Sequence, residues 1–275
     1  MRKVISYTDK DYFQYGKLFI RTRDAVNCNF VVYGAGLTKD QISVLADNNI
    51  EHKPIDENEF QSKMQFLKFS LMSDENDGSG DGISFVDFDT FFLNDWWHIF
   101  NQDIDLGVTV RNNFKDRVGQ ARAFSNGGVI HSKQTESGKK MCQYAIDTMQ
   151  NGGDKNLPEY DDAFKQIESA TSNRPKNKTW ERENLRWWCD QMFLSAFVWR
   201  YYKKNGHKNI YNNVIIDDLG YKIGLYNCDL YNRLDANPND LKRVLLSDKK
   251  VYIMHLKNKG REIVNPIGKI LDNRS

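Results

Sequence analysis

The chain contains 275 residues, of which 40% are hydrophobic and 13% aromatic, and its 39 basic and 37 acidic residues leave a formal net charge of +2. The apolar content excludes a chain that is disordered for lack of a core, and the length allows one large domain or two small ones. The balanced charge argues against a nucleic-acid-binding protein, because such proteins carry a basic surface.

The four cysteines are widely spaced and form no C-x-x-C pair, so neither a zinc site nor a disulfide framework is predicted. A reducing compartment is the simpler interpretation. No apolar run approaches the ~20 residues of a membrane helix. The apolar run near the start is interrupted by Thr8 and Asp9, unlike that of a signal peptide. We therefore expect a soluble cytoplasmic protein without a transmembrane segment.

Strands and helices alternate in the first part of the chain. Apolar, β-prone runs predict strands at Lys3–Tyr7, Asn29–Tyr33 and His52–Ile55. Helices are predicted from a cap at Thr8-Asp9 to about Arg23, from a capping box at Thr38 and Gln41 to about Asn48, and from Asn58 to Met72. This alternation predicts an α/β fold with a mainly parallel sheet flanked by helices.

An acidic motif follows the next predicted strand. Ile83 to Asp87 is apolar enough to be a buried strand, and it delivers Asp87 and Asp89. A spacing of two in an extended chain directs both carboxylates to the same side. Two such carboxylates repel each other unless a cation lies between them, and aspartate oxygens suit Mg²⁺ or Mn²⁺. The alternative is a strand-end turn in which Asp89 caps the next segment of the chain.

The rest of the chain predicts more of both element types. Further strands are predicted at Asp103–Val110, Asn126–His131, Asn213–Ile216, Tyr221–Tyr226 and Lys249–His255. Further helices are predicted at Lys133–Gln150, Asp161–Ser169 and Asp190–Lys204, with a polar loop at Asn173–Thr179.

Two other motifs compete for the acidic region. The loop from Asp74 to Gly82 imitates an EF-hand, but no register places both the glycine at position six and the acid at position twelve. A haloacid-dehalogenase phosphatase would use D-x-D followed by Thr or Val at the fifth position, where this chain has Phe91. Asp217-Asp218 would then serve as the later acidic motif of that family.

Polar residues stand at several predicted element ends. Ligands of parallel sheets bind beyond the carboxyl ends of the strands, which is where Tyr7 and Thr8 fall. Glycines in Asn126-Gly127-Gly128 would let a ligand approach the backbone, or would simply form a turn. Asp190 and Gln191 would face the pocket from a helix start, or Asp190 would only cap that helix.

His255 ends a predicted apolar strand and precedes the basic, glycine-containing loop Lys257-Asn258-Lys259-Gly260-Arg261. A single histidine in a strand is usually structural. A histidine at a strand end that precedes a basic loop would instead join a metal and hold phosphates.

The order of these motifs resembles that of GT-A fold glycosyltransferases, especially glycosyltransferase family 8, which includes glycogenin. The resemblance spans roughly Lys3 to Arg261. It implies a single GT-A domain, with a nucleotide-binding half at 1–110, an acceptor- and sugar-binding half at 111–262, and a tail at 263–275.

The resemblance also implies residue roles. Asp87, Asp89 and His255 would bind a divalent metal, usually Mn²⁺. Asn126, Asp190 and Gln191 would orient the sugar and acceptor as catalytic residues. The donor would be bound by Tyr7, Thr8, Lys63, Phe88, Asn227, Lys257, Lys259 and Gly260. The chain departs from the family pattern at Gly127, where Ser or Thr is usual, and in the order of lysine and glycine after His255.

The expected activity is transfer of a sugar from a nucleotide-sugar donor, by family habit a UDP-sugar, to a hydroxyl of a glycan, lipid or protein. A metal-dependent phosphatase with Asp87 as nucleophile is the second hypothesis. A catalytically silent carbohydrate-binding protein on the same fold is the third. The sequence leaves the donor sugar, the acceptor, the stereochemical outcome and the oligomeric state open.

Overall fold

The structure is a computed structural model that describes residues 1–64, 66–111, 124–162, 178–206, 210–234 and 250–256. In the helix Lys178–Asn205, side chains are described from Cys189 onwards.

The described residues contain eleven strands and seven α-helices. The strands are β1 (Lys3–Asp9), β2 (Asn29–Ala35), β3 (Glu51–Ile55), β4 (Gly82–Val86), β5 (Thr90–Phe92), β6 (Leu106–Val110), β7 (Ser125–Lys133), β8 (Asn213–Ile216), β9 (Lys222–Asn227), β10 (Arg233–Leu234) and β11 (Ile253–His255). The helices are α1 (Lys17–Thr22), α2 (Lys39–Asp47), α3 (Glu57–Lys63), α4 (Leu67–Asp74), α5 (Glu136–Gln150), α6 (Lys178–Asn205) and α7 (Cys228–Tyr231).

Eight strands form one mixed sheet in the order β3-β2-β1-β4-β7-β6-β9-β8. The first four neighbours run parallel, and β6 and β9 are also parallel. Strand β7 is antiparallel to both β4 and β6, and β8 is antiparallel to β9. The α/β fold with a mainly parallel sheet, predicted from the sequence, is confirmed.

Strand β4 lies in the middle of the sheet and is buried along its whole length. Successive side chains of a strand point to opposite faces. Accordingly, Ile83 and Phe85 join the core formed with α4, α5 and α6. Val86 joins the second core on the other face, which is rich in phenylalanine and tryptophan. The sequence of a strand that is covered on both faces is a continuous apolar run, which is why this element was predictable.

A second, three-stranded sheet has the order β10-β11-β5. Strand β5 follows the two acids directly, and β11 pairs with it antiparallel so that His255 lies opposite Thr90. This small sheet brings the end of the described chain to the end of β4.

The capping box of α2 is confirmed, since Thr38 accepts from Gln41 N and the Gln41 side chain accepts from Thr38 N at 2.9 Å. The cap predicted at Thr8-Asp9 is not at the helix start, because the N-cap position is Asp11, although Asp9 Oδ1 accepts from Asp11 N at 3.0 Å and Tyr12 N at 2.7 Å. The next segment contains a 3₁₀ helix at Tyr12–Gly16 before α1.

The helix predicted to run to about Arg23 is divided into the 3₁₀ helix Tyr12–Gly16, α1 and a second 3₁₀ helix at Arg23–Ala25. Two further helix predictions were wrong in their bounds. The single helix predicted at Asn58–Met72 is two helices, α3 and α4; α3 buries only Phe60, whereas α4 is buried on most sides. The helix predicted to begin at Asp190 begins at Lys178. Asp190 is therefore no N-cap, since the helix-forming residues before it continue the helix without a break.

Other predictions fall partly outside the described residues. Of the helix predicted at Asp161–Ser169 and the loop at Asn173–Thr179, residues 163–177 are not described. The predicted final strand is shorter than expected, with β11 beginning at Ile253. The predicted tail at 263–275 also lies outside the described residues, and the division into two halves remains a prediction.

Candidate functional site

The strand order brings three segments to one edge of the main sheet. Strands β1 and β4 are parallel neighbours, so the residues that come after them share an edge. Strand β7 is antiparallel to β4, so its amino end, which carries Asn126, Gly127 and Gly128, reaches the same edge. The Asp87 amide donates to the Gly128 carbonyl at 2.8 Å and joins the two segments directly.

Asp87, Asp89 and His255 form a compact cluster at this edge. One ligand atom from each residue lies within 4.8 Å of the others. His255 Nε2 lies 3.0 Å from Asp89 Oδ1 and 3.5 Å from Asp87 Oδ2. Asp89 and His255 are buried, whereas the Asp87 side chain is 23% exposed. The register of β5 and β11 creates this cluster, and the Leu256 amide reinforces it by donating to the Asp89 carbonyl at 2.9 Å.

Asn232 fixes the orientation of the His255 ring. Its Nδ2 donates to the Asn126 carbonyl at 3.1 Å, and a carbonyl can only accept. The Asn232 Oδ1 therefore faces His255 Nδ1 at 3.1 Å, and Nδ1 must be the donor in that bond. The other ring nitrogen, Nε2, is left to face the two carboxylates. In metal sites, the histidine nitrogen that does not bind the metal typically forms a hydrogen bond of this kind with a protein group.

Tyr12 orients Asp89 from the opposite side. Its hydroxyl donates to Asp89 Oδ2 at 2.7 Å, while Asp89 Oδ1 faces His255. The two oxygens of this buried carboxylate thus have different partners.

Lys68 is a buried cation between two carboxylates. Its Nζ lies 3.0 Å from Asp87 Oδ1 and 2.9 Å from Asp190 Oδ2, and donates to the Gly127 carbonyl at 2.7 Å. Burial alone would lower the pKa of the Lys68 ammonium, but the carboxylates of Asp190 and Asp87 raise this pKa well above its usual value. Lys68 is therefore charged, and it links the acid pair to α6.

The two glycines of β7 make room for this arrangement. A Cβ atom on Gly127 would lie 2.8 Å from Asp190 Oδ2. One on Gly128 would lie 2.3 Å from His255 Cε1 and 2.9 Å from Asp87 Oδ2. The approach of a ligand to this backbone stays a prediction, and the groups that approach it in the structure are the side chains of Asp190, His255 and Asp87.

Asp190 and Gln191 face the site from the interior of α6. Both residues are buried. Ser125 ties this turn of the helix to β7, since its hydroxyl donates to the Gln191 carbonyl at 3.0 Å and lies 2.8 Å from the Ser195 hydroxyl. The helix axis is thereby held against the strand that carries Asn126.

A cavity of about 140 Å³ opens beside the cluster. Its apolar side is lined by Tyr7, Phe60, Met64 and Phe88, and its polar side by Thr8, Asp9, Tyr12, Lys68, Asp87, Asn126, Asp190, Gln191 and His255. Tyr7 packs between Phe60 and Phe85, with ring centroids 5.4 and 5.3 Å away. Burial raises the pKa of the Tyr7 hydroxyl well above its usual value, so this wall is neutral.

A larger cleft, of about 570 Å³, lies where α6 ends beside β8. Arg200 in this cleft is paired with Glu159 at 2.8 Å and with Asp218 at 3.4 Å. Within the described ranges, the cluster of metal-ligating side chains lies at the smaller cavity alone. The chemistry therefore points to the smaller cavity.

No protein-family model and no curated protein matches the chain. Solved structures do match it. A structure of the galactosyltransferase LgtC in complex with donor and acceptor sugar analogues matches with 14% identity and a TM-score of 0.49. An active-site mutant of LgtC matches with 13% identity and a TM-score of 0.50. Each match covers 92% of this chain and 86% of the other.

The chain has the GT-A fold. The predicted fold class is thereby confirmed, whereas identities this low carry no information about the substrate. Within the described residues of this GT-A fold, no helix is both long and apolar enough to cross a membrane.

Most of the predicted site residues that the structure describes lie at the cavity or in the cluster beside it, but two lie elsewhere. Lys63 is 41% exposed and pairs with Glu59 at 2.6 Å at the end of α3. Asn227 caps the short helix α7 by accepting from Asp229 N at 2.8 Å. Neither lines the cavity. Lys257, Lys259 and Gly260 lie outside the described residues.

The sequence interpretation missed Lys68, Tyr12 and Asn232. The position of Lys68 within the apolar run of α4 could have identified it as a site residue, because a buried lysine requires an acidic partner. Tyr12 and Asn232 act through partners that are distant in sequence, and no local pattern marked them.

The alternative motifs are not brought to the site. Asp217 follows β8 at the edge where β9 begins, because Ile216 pairs with Lys222, whereas the cluster lies at the edge where β9 ends. The acids of the 74–82 loop have other partners, since Asp77 lies 3.4 Å from Lys3 and Asp81 lies 2.6 Å from the amino terminus.

Proposed function

We propose that the protein is a metal-dependent glycosyltransferase, which moves a sugar from a nucleotide-diphosphate donor to a hydroxyl group of an acceptor. The observation that carries this proposal is the cluster of Asp87, Asp89 and His255 beside an open cavity in a GT-A fold. LgtC, whose active-site mutant matches this chain with a TM-score of 0.50, is a galactosyltransferase, which supports the same reaction class here.

The ligand set fits a divalent metal. Two carboxylates and one imidazole suit Mn²⁺, which accepts both oxygen and nitrogen ligands, and Mg²⁺ is the alternative. Nε2 of His255 faces the carboxylates because Asn232 engages the other ring nitrogen. A cation bound by Asp87, Asp89 and His255 would neutralise the negative charge that develops on a leaving diphosphate.

The other residues would bind and orient the reactants. The apolar wall of Tyr7 and Phe88, with Thr8 at the end of β1, would hold the base and ribose of the donor. Asn126, Asp190 and Gln191 would accept and donate hydrogen bonds to sugar hydroxyls and to the acceptor. Lys63 and Asn227 have no place in this proposal, and Lys68 takes the position at the cavity that was expected of Lys63.

The donor is proposed to be a UDP-sugar, on the resemblance to glycosyltransferase family 8. The acceptor is a hydroxyl of a glycan, lipid or protein. The cavity sits beside the metal ligands and is lined by polar groups on one side only, which suits a ligand with one sugar face and one aromatic face.

The test is thermal denaturation with MnCl₂ or MgCl₂, alone and combined with nucleoside diphosphates, nucleotide sugars, phosphate esters and free sugars. We expect one nucleotide together with Mn²⁺ to raise the melting temperature, and slow hydrolysis of the matching nucleotide sugar to accompany it. Stabilisation by phosphate esters alone would support the phosphatase instead. Stabilisation by a free sugar without metal would support a carbohydrate-binding protein.

Asp89→Asn is the variant that tests the ligand assignment. It removes the charge of a buried ligand while keeping its shape, so the Mn²⁺-dependent stabilisation should disappear. Asp77→Asn is the matched control, because Asp77 lies in the 74–82 loop and pairs with Lys3 rather than with the cluster. Equal Mn²⁺ responses of the two variants would contradict the proposed metal site.

A further inference from the structure

We propose that Tyr12 is a positioning residue for the metal site, because its hydroxyl fixes the carboxylate of Asp89 so that Oδ1 is presented to the cation. This inference rests on the proposed function and assigns a role to a residue that does not itself bind the metal.

The first support is the geometry of the bond. Tyr12 OH lies 2.7 Å from Asp89 Oδ2, within the range of hydroxyl–carboxylate hydrogen bonds. The terminal torsion of an aspartate is broad and two-fold, so the carboxylate plane is not set by the side chain alone. The Tyr12 hydroxyl selects one orientation, in which Oδ1 lies 3.0 Å from His255 Nε2.

The second support is how Tyr12 itself is held. Its backbone amide donates to Asp9 Oδ1 at 2.7 Å, at the start of the 3₁₀ helix Tyr12–Gly16. Its ring packs edge-to-face on Tyr15, with ring centroids 5.1 Å apart. The hydroxyl therefore reaches Asp89 from a segment with its own local supports, 77 residues away along the chain.

The third support is the pattern across the cluster. Asn232 orients His255, and Lys68 contacts Asp87 Oδ1 at 3.0 Å. Tyr12 supplies the corresponding contact for Asp89. Each of the three metal ligands thus has a neighbour that sets its orientation. Tyr12 can lose its orienting hydroxyl in a variant that keeps the ring and changes no charge.

The test compares Mn²⁺ binding to the wild-type protein and to Tyr12→Phe, measured by isothermal titration calorimetry without substrate. Removing a group that orients a metal ligand typically weakens metal binding 10–100-fold, and we expect a rise of about that size in the Kd for Mn²⁺. Phenylalanine keeps the half-buried ring but removes a hydrogen bond to the buried carboxylate of Asp89, so we also expect a lower melting temperature without metal.

Tyr144→Phe is the matched control. Tyr144 loses the same hydroxyl in this variant, but it lies on α5 and packs against Phe193 and Tyr221 away from the cavity lining. Its Kd for Mn²⁺ should equal that of the wild type. In turnover assays, a positioning role predicts that saturating Mn²⁺ restores kcat of Tyr12→Phe.

The outcomes separate the two proposals. If Tyr12→Phe binds Mn²⁺ as tightly as the wild type while Asp89→Asn loses binding, the role of Tyr12 is overturned and the metal site stands. If the wild type binds neither Mn²⁺ nor Mg²⁺, the proposed function fails and this inference fails with it.

Discussion

Lys68 and Asp190 form a buried ion pair, with Nζ and Oδ2 2.9 Å apart, that joins α4 to α6 beneath the proposed sugar site. Lys68 also contacts Asp87, so two carboxylates share one ammonium group. A buried pair of this kind contributes little net stability compared with apolar residues, but losing one partner leaves the other charge buried and unpaired.

Lys68→Met should therefore destabilise the protein by about 3–5 kcal/mol, since methionine fills the space and leaves Asp87 and Asp190 without a counter-charge. The free energy of unfolding from urea titration measures the effect. Lys63→Met is the control, because this partly exposed lysine pairs with Glu59 on the same helix and its loss should cost about 0.5 kcal/mol or less. Similar losses for the two variants would contradict the role assigned to the buried pair.

The glycines of β7 yield a second prediction. Gly128→Ala places a Cβ about where the His255 ring and the Asp87 carboxylate lie, so these ligands must separate. We expect at least a tenfold weaker affinity for Mn²⁺ and a stability loss of about 1–3 kcal/mol from overpacking. Calorimetric titration with Mn²⁺ and urea denaturation measure the two effects.

Gly127→Ala is the comparison for that variant. The atoms nearest to its Cβ would be those of the Asp190 carboxylate, at 2.8 Å, and Lys68 lies between that carboxylate and Asp87. Its metal affinity should be close to that of the wild type. A Gly127→Ala variant that lost Mn²⁺ binding as severely as Gly128→Ala would show that the clash with His255 is not the cause.

Asn232 yields a third prediction, because it fixes the ring of His255. Asn232→Ala leaves His255 Nδ1 without its acceptor and frees the imidazole to rotate. Mn²⁺ affinity should fall about 10–100-fold. Titration of Mn²⁺ against wild type and variant measures this change, and an unchanged Kd would mean that the packing of β11 alone holds the ring.

Much of the fold was predictable because its signals are local. The apolar run of β4 and the capping box of Thr38 and Gln41 are each complete within a few residues, and both predictions are confirmed. Asp87 and Asp89 were identified in the same way. The rule that parallel strands present their carboxyl ends together then predicted which segments would meet.

The rest of the site depends on contacts that no local pattern encodes. Lys63 and Lys68 are both lysines of the predicted helix Asn58–Met72, and only the separation of α3 from α4 decides which one faces the acids. Asn232 acts on a residue 23 positions away, and Tyr12 on one 77 positions away. Strands β5 and β10 have only three and two residues, which is too short for the alternation of apolar and polar residues that identifies a strand in a sequence.

His131 yields a prediction about pH. It is fully buried in β7, where Ser84 Oγ lies 2.8 Å from its Nδ1 and Trp96 Nε1 donates to the same hydroxyl at 3.0 Å. Burial lowers the pKa of His131 to about 3. Below the unfolded-state pKa of about 6.5, the unfolded chain therefore binds a proton that the folded protein does not.

The stabilisation from neutral His131 is thus complete above pH 6.5 and is lost as the pH falls towards 3. At pH 5, His131 alone should lower the free energy of unfolding by about 2 kcal/mol relative to its value at pH 8. Burial also lowers the pKa of His52 and His98, so these two residues also contribute to the pH dependence of the free energy of unfolding of the wild type. His131→Phe keeps a flat ring but does not titrate, and the difference between its pH dependence and that of the wild type isolates His131. Urea denaturation at several pH values between 5 and 8 measures it, and parallel curves for the two proteins would refute the assignment.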